Sequence, residues 1–336
     1  MKHKVAINGL GRIGRAVLKI IREEPGLELT AINDLIPLDN LVYLLKYDSA
    51  YGRYERDIVA EDGHLVVGGE KIRVFQEKDP VQLPWRELDV SLVFECTGVF
   101  TQKEDMAKHI EAGARHVILS APSKSEEVIT VVHGVSPMEE ARPEIISCAS
   151  CTTNCIAPVV EVMGRRLGIH KATMTTIHAY TSSQQIVDGP HKQMRRGRAG
   201  AVNFVPTSTG AAKAATKVLP GYKGKFDGIA IRAPILVGSI ADLVFLTAKP
   251  TSVDEVNGIF REESQSERYR GILGATEDPL VSTDIIRDPR ASIVDLSMTQ
   301  VVDGDLVKIL SWYDNEWGYV NQMVREALQM LESVST

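Results

Sequence analysis

Gly9-Leu10-Gly11-Arg12-Ile13-Gly14 is the stretch that decides how the first half of this 336-residue chain folds. Residues 4–8 (KVAIN) before it read as a short apolar strand, and residues 15–23 after it as a helix with Ala16 and Ile20 on one face. In a strand–turn–helix, three glycines at this spacing do three jobs: the tight turn, the close approach of backbone to a pyrophosphate, and helix–strand packing. The helix start adds unbonded N–H groups and the positive end of the dipole. Asp34 ends a second strand expected at Leu27–Asn33, about twenty residues on, where a carboxylate accepts hydrogen bonds from an adenosine ribose. A carboxylate there also repels a 2′-phosphate, so these residues point to NAD over NADP.

Working outward, residues 90–96 (VSLVFEC) and 116–120 (HVILS) are near-continuous apolar runs, as expected of strands buried on both faces. Residues 104–112 between them have helical spacing. Strands alternating with helices predict a doubly wound parallel α/β sheet with right-handed crossovers. After about residue 150 the texture changes. A long helical segment follows Cys151, and strand-rich stretches at 171–178, 227–248, 292–301 and 305–312 predict an α+β unit with a mixed or antiparallel sheet. Residues 318–334 return to helical spacing through Val320, Met323, Val324, Ala327, Leu328 and Leu331. No internal repeat and no low-complexity linker separates the two textures.

Composition narrows the function classes. A hydrophobic fraction of 44% with 24% charged residues excludes a disordered tail and a fibrous chain, and the length suits two domains. A net charge of −6 offers no basic footprint for nucleic acid as the main partner. Four cysteines in a chain this long make no disulfide framework and read as thiols in a reducing compartment. The N-terminus carries no export signal, and the best bilayer-spanning candidate, 229–248, contains Arg232 and Asp242. The expectation is a soluble cytoplasmic protein without a membrane partner.

Three of the thiols gather in Ser147-Cys148-Ala149-Ser150-Cys151-Thr152-Thr153-Asn154-Cys155. A metal or iron–sulfur site would need a fourth ligand that is not evident nearby, so no metal is expected. A Cys148–Cys151 redox pair would need a thioredoxin-like βαβ context that is lacking. Cys148 and Cys155 fit small buried thiols. Cys151 differs, because Ser150, Thr152, Thr153 and Asn154 make its surroundings polar where the helix begins, and a helix N-terminus favours thiolate. Such a nucleophile wants an imidazole, and His178 follows an apolar run at a strand end; a histidine there can also be purely structural. A basic concentration follows: His191, Lys192, Arg195, Arg196 and Arg198, then Thr207-Ser208-Thr209-Gly210. It reads either as a solvated loop or as an anion site in which Arg forks and Thr hydroxyls grip phosphate oxygens. Arg232, inside an apolar stretch, needs a partner if buried; a phosphate or a structural carboxylate would serve.

These residues resemble the phosphorylating glyceraldehyde-3-phosphate dehydrogenase family. INGLGRIGR (7–15), NDL (33–35), LLKYDS (44–49), SAPSK (120–124), ASCTTNC (149–155), TTIHAYT (175–181), PTSTGAAKA (206–214) and WYDNEWGY (312–319) stand in family order and spacing from residue 4 to about 330. The resemblance implies a Rossmann NAD-binding domain at 1–150, completed by a C-terminal helix at 315–336, and a catalytic domain at 151–314. It implies NAD-dependent oxidation and phosphorylation of glyceraldehyde 3-phosphate in glycolysis and gluconeogenesis, with Cys151 as nucleophile and His178 as base. Thr181 and Arg232 are implied for the substrate phosphate; Ser150, Thr152, Arg196, Thr209 and Gly210 are implied for inorganic phosphate. Gly9, Gly11, Arg12, Ile13, Gly14, Asp34, Lys78, Ser120 and Asn315 are implied at the cofactor, Asn315 holding the carboxamide. A homotetramer is implied, with the 182–205 loop between subunits. The chain departs from the family at Cys148, where asparagine is usual, and at Lys78, where arginine is common. It departs again at 233–235 (Ala-Pro-Ile for Val-Pro-Thr) and at Gly189, a leucine in many NAD-using members.

Two rival readings stay open on the sequence. Erythrose-4-phosphate dehydrogenases share the cysteine and histidine blocks but lack a good STGAAK block. A non-enzymatic nucleotide-binding scaffold would have no need of Cys151 and His178 together.

Overall fold

The computed structural model describes residues 2–137 and 143–332. They divide into two units: the first takes residues 2–131, 143–149 and 323–332, and the second takes 132–137 and 150–322.

The first unit opens with β1 (His3–Asn8), α1 (Arg12–Ile21), β2 (Leu27–Asn33) and α2 (Leu38–Lys46). A two-strand hairpin, β3 (Tyr47–Asp48) and β4 (Gly52–Arg53), leads to β5 (Ile58–Glu61), β6 (His64–Val67) and β7 (Glu70–Phe75). Then come β8 (Leu92–Glu95), α3 (Lys103–Glu111), β9 (His116–Leu119), β10 (Ile129–Thr130) and β11 (Ile145–Ser147). One nine-stranded sheet runs β10-β11-β9-β8-β1-β2-β7-β6-β5. It is parallel from β10 through β7, and only β6 and β5 pair antiparallel, as a meander at one edge. The order reverses at β1, with β2 on one side and β8 on the other, which is the switch point of a doubly wound sheet. Every residue of β8 and β9 is buried, in keeping with strands covered on both faces. Helix α1 starts at Arg12, three residues before the periodicity suggests, because Gly14 inside the first turn carries no apolar signal.

Beneath the C-terminal ends of β1, β2 and β8 lies a buried polar network. The Trp85 indole N–H donates to His109 Nδ1 at 3.0 Å, so the ring proton sits on Nε2, 3.2 Å from Glu95 Oε2. The Asn8 amide donates to the same Oε2 at 2.6 Å, and Asn33 donates to Asn8 at 2.7 Å. The other Glu95 oxygen accepts from the Thr97 N–H at 2.8 Å and from the Thr97 hydroxyl. Glu95, His109 and Trp85 are fully buried, so each bond replaces water that is not there.

The second unit begins with α4 (Cys151–Arg166), β12 (Ile169–Ala179), β13 (Val205–Ser208) and α5 (Ala211–Val218). It continues through β14 (Phe226–Ala233), β15 (Ser239–Thr247), α6 (Val253–Gln265), β16 (Leu273–Thr276), β17 (Ser292–Val302) and β18 (Leu306–Tyr313). Helix α7 (Trp317–Glu332) starts in the second unit and from Met323 on counts with the first; residues 333–336 of the expected C-terminal helix lie outside the described residues. The sheet runs β13-β14-β12-β15-β18-β17-β16 and is mixed: β12·β14 and β16·β17 are parallel, the other pairs antiparallel. The strand-rich stretch at 227–248 holds two strands, because the chain turns at 234–238 and Gly238 takes φ +90°. Burial alternates along all of β15, so one sheet face is buried, and α4, α5 and α6 pack with this sheet around one apolar core. Ser150 and Ser252 cap α4 and α6, each accepting an N–H from three residues on.

Replacing Trp85 with Phe strips the donor from His109 Nδ1 and leaves a buried acceptor unpaired. The expected loss is about 1–3 kcal/mol of unfolding free energy. Urea denaturation checks it, and an unchanged midpoint would contradict the network.

Candidate active site

In the first unit the glycine turn has the shape a dinucleotide needs. Gly9 sits at φ +92°, and a Cβ there would meet the Thr97 backbone N at 2.6 Å. A Cβ on Gly14 would lie 1.9 Å from the Gly9 carbonyl oxygen, so helix and strand meet only through glycine. Gly11 is different: it caps α1, and nothing lies within 4 Å of where its Cβ would be. Helix α1 has neither a side-chain cap nor an acidic residue in its first turn, a start suited to an anion. Asp34 Oδ2 accepts the Leu10 N–H at 2.5 Å, and Oδ1 accepts the Ile36 N–H at 2.9 Å. That clamps the carboxylate against the turn with a lone pair on each oxygen still to offer. An open turn, an uncapped helix start and a clamped carboxylate fit the pyrophosphate and ribose of NAD.

The other residues named for the cofactor stand in varied surroundings. Arg12 Nη1 donates to Asp48 at 2.7 Å, and its guanidinium lies 5.4 Å from the centre of the Tyr51 ring. Ile13 follows on α1, half-buried; Lys78 is exposed after β7. Ser120 ends β9, its N–H donating to the Glu95 carbonyl at 3.0 Å.

In the second unit, Cys151 is the first residue of α4 and His178 the penultimate residue of β12. Sγ lies 3.3 Å from Nε2. His178 Nδ1 is 2.7 Å from the Ala179 carbonyl, and a proton held there turns the Nε2 lone pair towards the thiol. Burial, reinforced by the Arg232 charge, pushes the imidazole down to about 3, so the ring is a neutral acceptor. Burial pushes the Cys151 thiol up, while Arg232, the Thr152 hydroxyl and the N–H groups at the helix start pull it back. The resting pair is therefore neutral thiol and neutral imidazole, 3.3 Å apart.

Arg232 of β14 lies directly opposite His178 of β12 and comes within 2.5 Å of Nδ1 and 3.1 Å of the Ala179 carbonyl. Its Nε is buried without a partner, and among the described residues no carboxylate pairs with it. Arg196 likewise has no carboxylate; it donates to the Thr207 hydroxyl at 3.0 Å and to the Ser208 carbonyl at 3.4 Å. The two guanidinium groups are close enough that Arg196 disfavours the charge on Arg232. Two partly buried cations without counter-ions leave a place for an anion. Thr209 and Gly210 lead into α5 beside Arg196, Thr209 Oγ1 accepting the Ala211 N–H at 3.2 Å. Thr181 follows β12, its hydroxyl 2.9 Å from that of Ser183. The Ser150 hydroxyl accepts the Thr153 N–H at 3.1 Å as the cap of α4. The Thr152 hydroxyl turns into the protein, 2.8 Å from Tyr313 Oη.

Tyr313 is a residue that motif reading passes over. Its hydroxyl bonds both Thr152 and Thr176 at 2.8 Å, and its ring meets His178 edge-on. Burial holds the phenol far above its usual range, so it stays protonated and ties α4 to β12. Its sequence signals are its place in the WYDNEWGY block, which gives it no role, and on the buried face of β18. Asn315 stands on a turn fixed by Asp314, whose carboxylate accepts the N–H groups of Glu316, Trp317 and Arg287 at 2.8–2.9 Å. Among the described residues no group of three His, Cys, Asp or Glu side chains gathers as a metal site would, and no helix is long and apolar enough to cross a membrane.

A doubly wound sheet with an open glycine turn, and a second unit that pairs a thiol with an imidazole, fit the class of NAD-binding oxidoreductases. Residues 3–103 match the domain described as "Glyceraldehyde 3-phosphate dehydrogenase, NAD binding domain", and residues 150–315 match its "C-terminal domain". A glyceraldehyde-3-phosphate dehydrogenase of Streptomyces avermitilis is 48% identical, over 96% of this chain and 97% of its own. One from Zymomonas mobilis is 44% identical over 99% and 100%, and one from Geobacillus stearothermophilus 47% over 96% and 97%. The chain belongs to the glyceraldehyde-3-phosphate dehydrogenase family.

His178→Asn removes the proton acceptor beside Cys151 and leaves burial to hold the thiol protonated. Alkylation of Cys151 by iodoacetamide at pH 7 is expected to slow by about tenfold or more. Equal rates in the two proteins would overturn the pairing.

Proposed function

We propose that this chain carries out the NAD-dependent oxidative phosphorylation of D-glyceraldehyde 3-phosphate to 1,3-bisphosphoglycerate, as a cytoplasmic enzyme of glycolysis and gluconeogenesis. The observation that carries the reading is the 3.3 Å approach of Cys151 to His178 beside two arginines that lack counter-ions. Cys151 Sγ attacks the aldehyde carbon, its proton passes to His178 Nε2, and His178 hands that proton to the carbonyl oxygen to give a thiohemiacetal. The N–H groups at the start of α4 hold the developing oxyanion, a contribution of about 3 kcal/mol at comparable sites. When bound, NAD supplies the acceptor for the hydride leaving that carbon. His178 Nε2 takes the hydroxyl proton in the same step, and a thioester remains on Cys151. An oxygen of inorganic phosphate then adds to the thioester carbon, the C–S bond breaks, and the acyl phosphate leaves with the thiolate regenerated.

Thr181 and Arg232 grip the substrate phosphate; Ser150, Thr152, Arg196, Thr209 and Gly210 receive inorganic phosphate. For Thr152 the engaged hydroxyl leaves the backbone N–H as the group on offer. Gly9, Gly11, Gly14 and the start of α1 take the pyrophosphate with Arg12 and Ile13 beside them, and Asp34 takes the adenosine ribose. Lys78 and Ser120 flank the nucleotide, and Asn315 holds the nicotinamide carboxamide. The assembly is a homotetramer. Its support is the 182–205 loop, where Ile186, Met194 and Phe204 stand 87%, 88% and 70% exposed, an apolar surface that a second copy would cover.

Formation of reduced nicotinamide from glyceraldehyde 3-phosphate, with and without inorganic phosphate, is the direct test. Strong phosphate-dependent turnover with NAD is expected. Cys151→Ser should abolish turnover while retaining NAD binding, and His178→Asn should lower kcat by about 10²–10⁴-fold. Turnover indifferent to phosphate and faster on erythrose 4-phosphate would sink the reading. Light scattering should return four times the mass of one chain.

A further inference from the structure

One buried hydroxyl links the strand end that carries His178 to Asn315. Ser239, 1% exposed, opens β15. Its Oγ accepts the Ala179 N–H at 3.1 Å and donates its own proton to Asn315 Oδ1 at 3.0 Å. The Gly238 N–H reaches the same Oδ1 at 3.1 Å. Ala179 is also the residue whose carbonyl lies against His178 Nδ1. Two donors converge on one face of the Asn315 amide, and that decides which end is oxygen. Turned over, the amide would set an N–H against the Gly238 N–H, which can only donate, and that bond would be lost. Among the described residues, no protein acceptor takes the amide N–H groups that remain.

We propose that Ser239 is a positioning residue of the cofactor site, holding the Asn315 amide so that its N–H groups stay free to donate to the nicotinamide carboxamide. The inference rests on the reading, given above, that Asn315 meets that carboxamide. Ser239 touches no reacting atom; it acts through Asn315, and its second bond anchors the backbone that orients His178. Its hydroxyl is suited to the task because it accepts from one neighbour and donates to the next, a direction that neither Ala nor Val can supply.

Calorimetric titration of the full-length protein with NAD and with ADP-ribose separates this role from a general loss of structure. ADP-ribose carries the adenosine, the pyrophosphate and both riboses but no carboxamide. In Ser239→Ala the Kd for NAD is expected to rise about five- to tenfold, while that for ADP-ribose stays within about twofold. Ser239→Thr, which keeps the hydroxyl, is expected to restore most of the NAD affinity. If the alanine variant does not fold, Ser239→Cys keeps the volume, weakens the hydrogen bond and serves the same comparison. Asn315→Ala is the control for the underlying reading and should weaken NAD alone. If Asn315→Ala does so but Ser239→Ala weakens both ligands equally, or neither, the positioning role falls and the carboxamide reading stands. If Asn315→Ala leaves the preference for NAD over ADP-ribose unchanged, the carboxamide reading falls and the proposal falls with it.

Discussion

The second unit depends on keeping a thiol at a helix start within 3.3 Å of an imidazole at a strand end. Neither group can hold the other, because an S–H to nitrogen contact is weak and both side chains sit where burial disfavours charge. The distance must come from the elements that carry them. Helix α4 buries most of its length against the sheet, and its start is set by the Ser150 cap. Strand β12 is central, paired on one side to β14 and on the other to β15. The Tyr313 hydroxyl then joins Thr152 of the helix to Thr176 of the strand, one residue from Cys151 and two from His178. That hydroxyl bridge sets the spacing of the pair.

The same logic governs the nucleotide turn. A glycine loop is loose by itself, since glycine loses the most backbone freedom on folding. Here it is pinned from beneath by Glu95, which holds the Thr97 N–H against the turn, and from the side by Asp34, which takes the Leu10 N–H. Glu95 and the Asn8, Asn33 and His109 side chains linked to it are buried and mutually satisfied, and such networks are rigid because each member loses its partner if any other moves. Preorganisation therefore comes in part from Glu95 and the side chains bonded to it, which the glycine motif does not name.

This difference explains what could be read without coordinates. Gly9, Gly11, Gly14 and Asp34 were legible because their task is local: turn, helix start and strand end are neighbours in sequence. Cys151 and His178 were legible as a polar patch at a helix start and a histidine ending an apolar run. Tyr313, Ser239, Trp85 and His109 were not, because each acts on a residue that only the fold brings near; Tyr313 lies 161 positions from Thr152. Secondary structure failed for related reasons. The antiparallel meander β5–β7 and the eight-residue α5 carry short patterns, and 227–248 reads as one apolar run although Gly238 turns it back.

Arg232 shows how the site uses an otherwise unfavourable arrangement. A guanidinium beside a neutral imidazole, with its Nε buried and unpaired, costs stability that a carboxylate partner would restore. A carboxylate there would raise the affinity of the imidazole for a proton and occupy the place of an incoming anion. Leaving the arginine without one keeps His178 a neutral imidazole and leaves the cation without a counter-ion among the described residues. The register that sets Arg232 of β14 directly opposite His178 of β12 makes both effects fall on one group. A charge buried without a carboxylate partner thus sets the protonation state of the imidazole across the strand pair.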